Sequence, residues 1–400
     1  MKEAQLVRSP ARHANRVSGT LLAVLCAAAT WLALPSICPG DAGDPLNTGQ
    51  HPYNRDVTFS GYAGSETLTD FPVLLIFSTA ITDFVYGQFK ADGSDLRFAD
   101  ASGIELAYEI EDWNPSGNSY IWVNVGELAS NTNLIKMYWG NPGLSQPAYT
   151  TNGGAWGSDY AGVWHMTEPN ASDATANGHD GTGNGNTNAP GHISTAQDMD
   201  GNNDYVDIST VASSISGSSF ALSGWIKTLD TGEQDGLGSA FAAINAVTKA
   251  EKALLHLGPP PPPESNVGAG VLGFTEGESS LEIDTGVTIN NDAWHHVFYT
   301  RTGTDGDLYI DGTEKGSHTS SIALASDDIW TVGCRWKKGF FGGDLTRFLD
   351  GTFDEIRVSD SARSADWIKA CWDSQKPGAS FVTYGEVLST PSVGTVIFGW

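Results

Sequence analysis

The sequence predicts an all-β chain built as two β-sandwich domains. Three observations predict it. Glycine is abundant, with 47 residues among 400, and it is interspersed with Asp, Asn, Ser and Thr, the residues of tight turns. Short runs rich in Val, Ile, Tyr, Phe and Trp alternate with that punctuation. Three segments of the C-terminal half follow one another at spacings that suit one sandwich: 220–228 (FALSGWIKT), 294–313 (WHHVFYTRTGTDGDLYIDGT) and 351–368 (GTFDEIRVSDSARSADWI). The length exceeds that of a typical single domain. A hydrophobic content of 40% supplies real cores, and a charged content of 17% excludes a disordered polyelectrolyte.

Residues 1–40 read as a signal peptide. Lys2, Arg8, Arg12 and Arg16 form a basic start, and 21–34 (LLAVLCAAATWLAL) is an apolar run, short for a membrane span. Pro35 ends it, and cleavage is expected near Gly40 or Ala42. An uncleaved anchor is the alternative, and the one route by which a membrane enters. Losing this segment removes four basic residues and one acid, which moves the formal charge from −26 to −29. Such a surface repels nucleic acid and anionic lipid. It suits an exported protein that is secreted, periplasmic or at the cell surface. Residues 41–50 are a polar linker.

Residues 51–150 form the first domain. Candidate strands are 57–59, 73–77, 96–99, 106–111, 120–125 and 133–139, with turns at Asp92-Gly93, Ser102-Gly103 and Ser116-Gly117. The stretches 68–78 (LTDFPVLLIFS), 91–114 (ADGSDLRFADASGIELAYEIEDWN), 119–125 (SYIWVNV) and 135–143 (IKMYWGNPG) cover most of the segment. They resemble a bacterial domain family of unknown function, of the DUF2341 type, that usually precedes a laminin-G-like domain in exported proteins. The resemblance implies a β-sandwich and no established activity.

Residues 151–160 read as a Gly-rich linker and 161–387 as the second domain. That domain opens with 162–169 (GVWHMTEP), 173–183 (DATANGHDGTG) and 198–208 (DMDGNNDYVDI), ahead of the three segments above. In this order the motifs resemble those of laminin-G-like, concanavalin-type jelly rolls. The resemblance implies a display scaffold that recognises glycans or cell-surface proteins through its loops. It also implies a calcium site, with Asp173, Asn177 and Asp354 as ligands. The loop 173–181 has the hard oxygens that Ca²⁺ takes, but not the EF-hand spacing; an Asx turn satisfying its own backbone amides is the other reading.

The run 258–264 (GPPPPPE) departs from the pattern and is expected to be a polyproline II surface loop. Residues 364–373 (SADWIKACWD) read as a helical turn capped by Ser364. Residues 388–400 are a linker or the start of a further segment. Two cysteines, Cys334 and Cys371, remain after the leading segment. An even pair in an exported protein reads as a disulfide closing a loop of about 36 residues, worth roughly 3–4 kcal/mol. Two buried free thiols are the other reading.

Catalysis finds little support. In 105–113 (ELAYEIEDW) the acids Glu105, Glu109, Glu111 and Asp112 cluster, and Glu109 and Glu111 share a strand face. Their order does not match the Glu-x-Asp-x-x-Glu strand of concanavalin-type glucanases. Asp354 and Glu355 are adjacent, hence on opposite faces. No Gly-x-Ser-x-Gly elbow and no phosphate-binding glycine loop occurs. The expected protein is therefore a non-catalytic binding or adhesion protein. A carbohydrate-active enzyme or its accessory module is the alternative, and a purely structural envelope module a third. The segment 334–343 (CRWKKGFFGG) sets Arg335, Trp336 and Lys337 in an otherwise acidic chain and is the expected contact loop. Trp113, Trp156, Trp330, Trp336 and Tyr205 are candidate sugar platforms, whereas Trp164, Trp225, Trp294 and Trp367 read as core.

Overall fold

The computed structural model describes residues 41–215, 217–232, 238–258, 269–277, 280–320, 322–339 and 342–389. Residues 1–40, expected as a signal peptide, the proline run and the chain beyond 389 lie outside the described residues. The described part is one compact unit, almost entirely antiparallel β-sheet.

Each of the six strand runs expected between 51 and 150 overlaps a strand. Tyr53–Thr58 pairs with Leu134–Trp139, and Arg97–Ala99 and Glu105–Leu106 extend that sheet. The facing sheet holds Leu68–Phe77, Ser119–Leu128 and Tyr108–Asp112. Side chains alternate across each strand. Val57, Ile135 and Met137 from one sheet therefore meet Val73, Leu75, Ile121 and Val123 from the other in a single core.

The end of the chain returns to this first sandwich. Thr383–Tyr384 and Leu388–Ser389 both pair with Tyr53–Thr58. The Arg55 guanidinium donates to the Gly385 carbonyl at 2.6 Å and fixes the return. Position 387, expected as the domain boundary, thus lies inside a stretch that completes the first sheet.

The second sandwich stacks an eight-stranded on a seven-stranded sheet. In the former, Asp350–Ser359 lies between Thr195–Asp200 and Phe220–Lys227, and Tyr160–Trp164 also pairs with it. Phe220, Leu222, Val297 and Tyr299 point into the core between the two sheets. Their neighbours Ala221 and Phe298 point the other way, into the core of the first sandwich. The eight-stranded sheet is buried on both faces, which explains why 220–226 is almost continuously apolar.

The helix Ala365–Gln375 fills the junction. Ser364 Oγ accepts from the Trp367 N–H at 3.2 Å, the expected cap. Asp366 accepts from the N–H groups of Ser65 and Glu66 at 2.7 and 2.9 Å, which pins the helix start to the first sandwich. Trp367 packs edge-on against Phe71 at 4.9 Å. Residues 151–160, expected as a linker, carry the buried Trp156 and Tyr160, so the connection itself is packed.

The expected disulfide is absent. Cys334 and Cys371 are free and buried. Cys334 follows the strand Ile329–Val332 of the seven-stranded sheet, whereas Cys371 belongs to the helix and the junction core. The two thiols thus sit in different layers. Burial pushes Cys334 up to about 12 and Cys371 up to about 11.

Candidate functional site

A charged cluster forms where the two sandwiches meet, and two β-bulges aim its acids. In Tyr108–Asp112, Glu109 lies opposite Trp122 and Ile110 opposite Ile121, but Asp112 lies opposite Tyr120. Glu111 is therefore the extra residue of a bulge. Between Asp350–Ser359 and Phe220–Lys227, Asp354 lies opposite Trp225 and Arg357 opposite Ser223. Glu355 and Ile356 together oppose Gly224, and Glu355 has φ 52°. Met166, next to His165, has φ 59°. Such backbone costs about 1–3 kcal/mol per residue and persists only where its surroundings hold it.

The bulges bring both acids to His165, which leaves the end of Tyr160–Trp164. His165 Nδ1 lies 2.6 Å from Glu355 Oε1 and 3.5 Å from Glu111 Oε2, and Nε2 lies 3.6 Å from Glu109 Oε2. Two indoles orient the carboxylates: Trp122 Nε1 donates to Glu111 Oε2 and Trp156 Nε1 to Glu109 Oε2, each at 2.8 Å. Arg357 Nη2 donates to Glu355 Oε2 at 2.6 Å. Its guanidinium lies 4.2 Å from the Trp122 ring centre and 4.9 Å from that of Trp156.

Burial and mutual charge set the protonation of this cluster. Burial, together with the charge of Glu355, pushes Glu111 up to about 8. Burial also raises Glu355, but His165 and Arg357 outweigh it and hold that carboxyl at about 2. Burial disfavours charge on His165, yet Glu355, Glu111 and Glu109 hold its imidazole well above the ordinary value. Asp354 is fully buried and raised well above the usual carboxylate range by burial and by Glu355. Its Oδ2 accepts from the Ile193 N–H at 2.8 Å.

Beside the cluster a cavity of about 290 Å³ opens between the sandwiches. Glu109, Glu111, His165, Thr167, Asp173 and Gln146 supply polar groups to its wall. Its volume lies at the lower edge of the range for small-molecule sites.

The residues expected to hold calcium do not fit that ion. Asp173 Oδ1 accepts from the N–H groups of Val163 and Thr175, and Oδ2 from the Thr175 hydroxyl and the His179 N–H. Asn177 Nδ2 donates to the carbonyls of Tyr160 and Ala161. The loop is an Asx turn stapled to the strand Tyr160–Trp164. Asp354 joins neither residue; its carboxylate meets Ile193 instead.

The expected contact loop is also different. Arg335–Gly339 and Gly342–Thr346 form a hairpin. Arg335 is buried and ion-paired with Glu251, so it presents no charge to a partner. Trp336 is half-buried on Ala242, Ile244 and Leu254, with Lys249 Nζ 4.9 Å over its ring. The Lys337 side chain lies outside the described residues. Trp156 and Trp330, named as sugar platforms, are buried at 5% and 2% exposure. Glu105, the first acid of its motif, is turned away from the cavity into a buried contact with Arg97 and Tyr149.

His165 is the functional residue that the sequence alone did not single out. Its Trp-His motif is legible, but nothing in the sequence says that it meets three acids from two other stretches, 108–112 and 350–359.

The comparisons agree with this architecture. Residues 200–369 match the concanavalin A-like lectin/glucanases superfamily, and residues 92–156 match the domain of unknown function DUF2341. The chain thus carries a laminin-G-like, concanavalin-type domain behind a DUF2341 domain. Among solved structures it is similar to domain 4 of AbnA, a GH43 extracellular arabinanase from Geobacillus stearothermophilus, in complex with arabinotriose. The identity is 19% and the TM-score 0.40, over 53% of this chain and 97% of that one. It is also similar to the binding domain of Paraclostridial Mosquitocidal Protein 1, with 15% identity and a TM-score of 0.41. That match covers 54% of this chain and about half, 52%, of the other. A third is the heptameric SAP-like pentraxin from Limulus polyphemus, with 15% identity and a TM-score of 0.31 over 39% and 70% of the chains. No curated protein matches the chain.

Proposed function

We propose that this is an exported, non-catalytic binding protein whose ligand is the end of a glycan, taken up in the cavity between its two sandwiches. One observation carries the reading: the wall of that cavity combines a carboxylate (Glu109), a hydroxyl (Thr167) and an amide (Gln146) on rigid strands and packed loops. Carboxylates and amides accept from, and amides donate to, the hydroxyls of a sugar, and rigid placement lowers the entropy lost on binding. Export rests on the basic start and apolar run of residues 1–40. Calcium has no part in the reading, because the Asp173 oxygens are already occupied by N–H and O–H donors.

The test is retention of the purified protein on a panel of polysaccharides, followed by titration with the matching oligosaccharides. Thr151 lies exposed on the cavity rim, so Thr151→Trp should block entry without disturbing the fold. Retention on one glycan class that Thr151→Trp weakens at least about tenfold, or about 1.4 kcal/mol, supports the reading. Retention indifferent to that substitution places the glycan elsewhere, and no retention across the panel overturns it. A second reading, glycoside cleavage, is favoured by Glu109 and Glu111 both lining the cavity. Release of new reducing ends from a retained glycan would favour it over simple binding.

A further inference from the structure

We propose that Glu111, His165 and Glu355 hold a divalent transition-metal ion, zinc foremost, at the junction of the two sandwiches, with an open coordination position turned to the cavity. Among the described residues this is the one group of three or more His, Cys, Asp or Glu side chains whose ligand atoms all lie within 4.8 Å of one another. The His165 Nδ1 separations of 2.6 and 3.5 Å from the two carboxylates bracket the spacing of ligands around an ion with bonds of about 2.0–2.2 Å.

An unpartnered atom points the same way. Glu111 Oε1 is buried without a hydrogen-bond partner, on a side chain only 2% exposed. A buried polar atom left unpaired costs about 1–3 kcal/mol, and a bound ion removes that cost. The outer contacts are those a metal site uses. Arg357 holds Oε2 of Glu355 and leaves Oε1 for the ion, while the Trp122 N–H orients Glu111 through Oε2 and leaves Oε1 without a hydrogen-bond partner.

Charge and donor type narrow the choice. Four acids, Glu109, Glu111, Asp354 and Glu355, share the junction with His165 and Arg357, so acids outnumber bases in this cluster. A dication corrects the imbalance. One imidazole with two carboxylates suits zinc, or manganese next, whereas calcium takes six to eight oxygens. Glu111 and His165 both line the cavity, which provides an entry path and room for a water or a ligand oxygen in the remaining position.

The inference stands apart from the glycan reading, because metal occupancy and glycan retention are separate measurements. The test uses the whole chain, stripped with chelator, dialysed and titrated calorimetrically with Zn²⁺ and then Mn²⁺, with bound metal counted by mass spectrometry. The expected result is about one ion per chain, with affinity at least about 100-fold weaker in Glu111→Gln and unchanged in Asp173→Asn. Stoichiometric binding lost in Asp173→Asn but kept in Glu111→Gln would overturn the assignment. So would occupancy well below one ion in a wild-type protein that still unfolds cooperatively. The wild-type count decides the matter even if a His165 variant fails to fold.

Discussion

Two acidic groups border the same cavity, and they differ in what their oxygens do. The Asp173 carboxylate accepts four hydrogen bonds, three of them from backbone N–H groups, and so has no capacity left. Glu111, 62 residues earlier in the sequence, has one oxygen held by Trp122 and the other unpartnered. The first group is a fold element that resembles a cation site in sequence. The second is a site-like cluster that no single stretch of sequence displays. Local donors decide the difference: the loop 173–181 folds back on its own carboxylate, while the bulge at Glu111 lifts its carboxylate off the ladder toward His165.

The largest expected effect tests how far the junction cluster depends on its charges. Glu355→Ala removes the partner of Arg357 and the nearest carboxylate to His165 at once. Breaking a buried ion pair from one side costs about 3–5 kcal/mol. Urea denaturation of the metal-free protein should therefore show a loss of that size, and Asp173→Ala a smaller one. A Glu355→Ala protein as stable as the wild type would break the comparison.

Acid sharpens it next, because Arg357 also faces His296. Burial, with Arg357 beside it, pushes His296 down to about 3; burial, with Arg347, does the same to His256. The unfolded imidazoles bind protons below about pH 6.5 while the folded ones stay neutral. Each residue's stabilisation is thus complete above about pH 6.5 and falls by about 1.4 kcal/mol per unit as the pH drops toward 3. From pH 6.5 to 5 each should cost about 2 kcal/mol. His296→Gln should flatten the stability profile in that window by about half of the two-residue slope, read from melts at stepped pH. An unchanged slope would show that His296 is already protonated or open to solvent.

Asp173→Ala comes third. It deprives the N–H groups of Val163, Thr175 and His179 of their acceptor, at a cost of about 1–3 kcal/mol where those groups stay buried. Denaturant midpoints measure the loss. If Asp173→Ala is neutral in stability, the loop is not the staple that its hydrogen bonds describe.

The layered fold was legible because alternation and turn residues are local. The strand runs at 73–77 and 120–125 each lie in a strand, 133–139 matches one to within a residue, and Ser364 caps its helix. The bulges were not legible. Strict alternation sets Asp354 and Glu355 on opposite faces, but the bulge and the φ of 52° at Glu355 turn that residue to His165, on the same junction side where Asp354 meets Ile193. Arg335 read as exposed because it sits among glycines, lysines and aromatics. Its burial depends on Glu251, 84 residues away on a neighbouring strand, and no local pattern reports that pairing. The return of Thr383–Tyr384 to Tyr53–Thr58 was hidden for the same reason, since two short strands carry almost no signal of their own.

The smallest expected effect concerns the cysteines, a second pair of residues that the sequence joins and the fold separates. Cys371 packs in the junction core beside Trp367 and Ile368, whereas Cys334 lies at the end of a strand in the far sheet. Both are buried and both are raised, so neither thiolate forms near neutral pH. A thiol reagent should find neither in the native protein and both after unfolding, and reductant should leave the melting midpoint where it was. A disulfide would instead have made reduction cost roughly 3–4 kcal/mol. Because that loss is comparable to removing Glu355, a reductant-sensitive midpoint would mean that these two layers approach far more closely than the sheets described here allow.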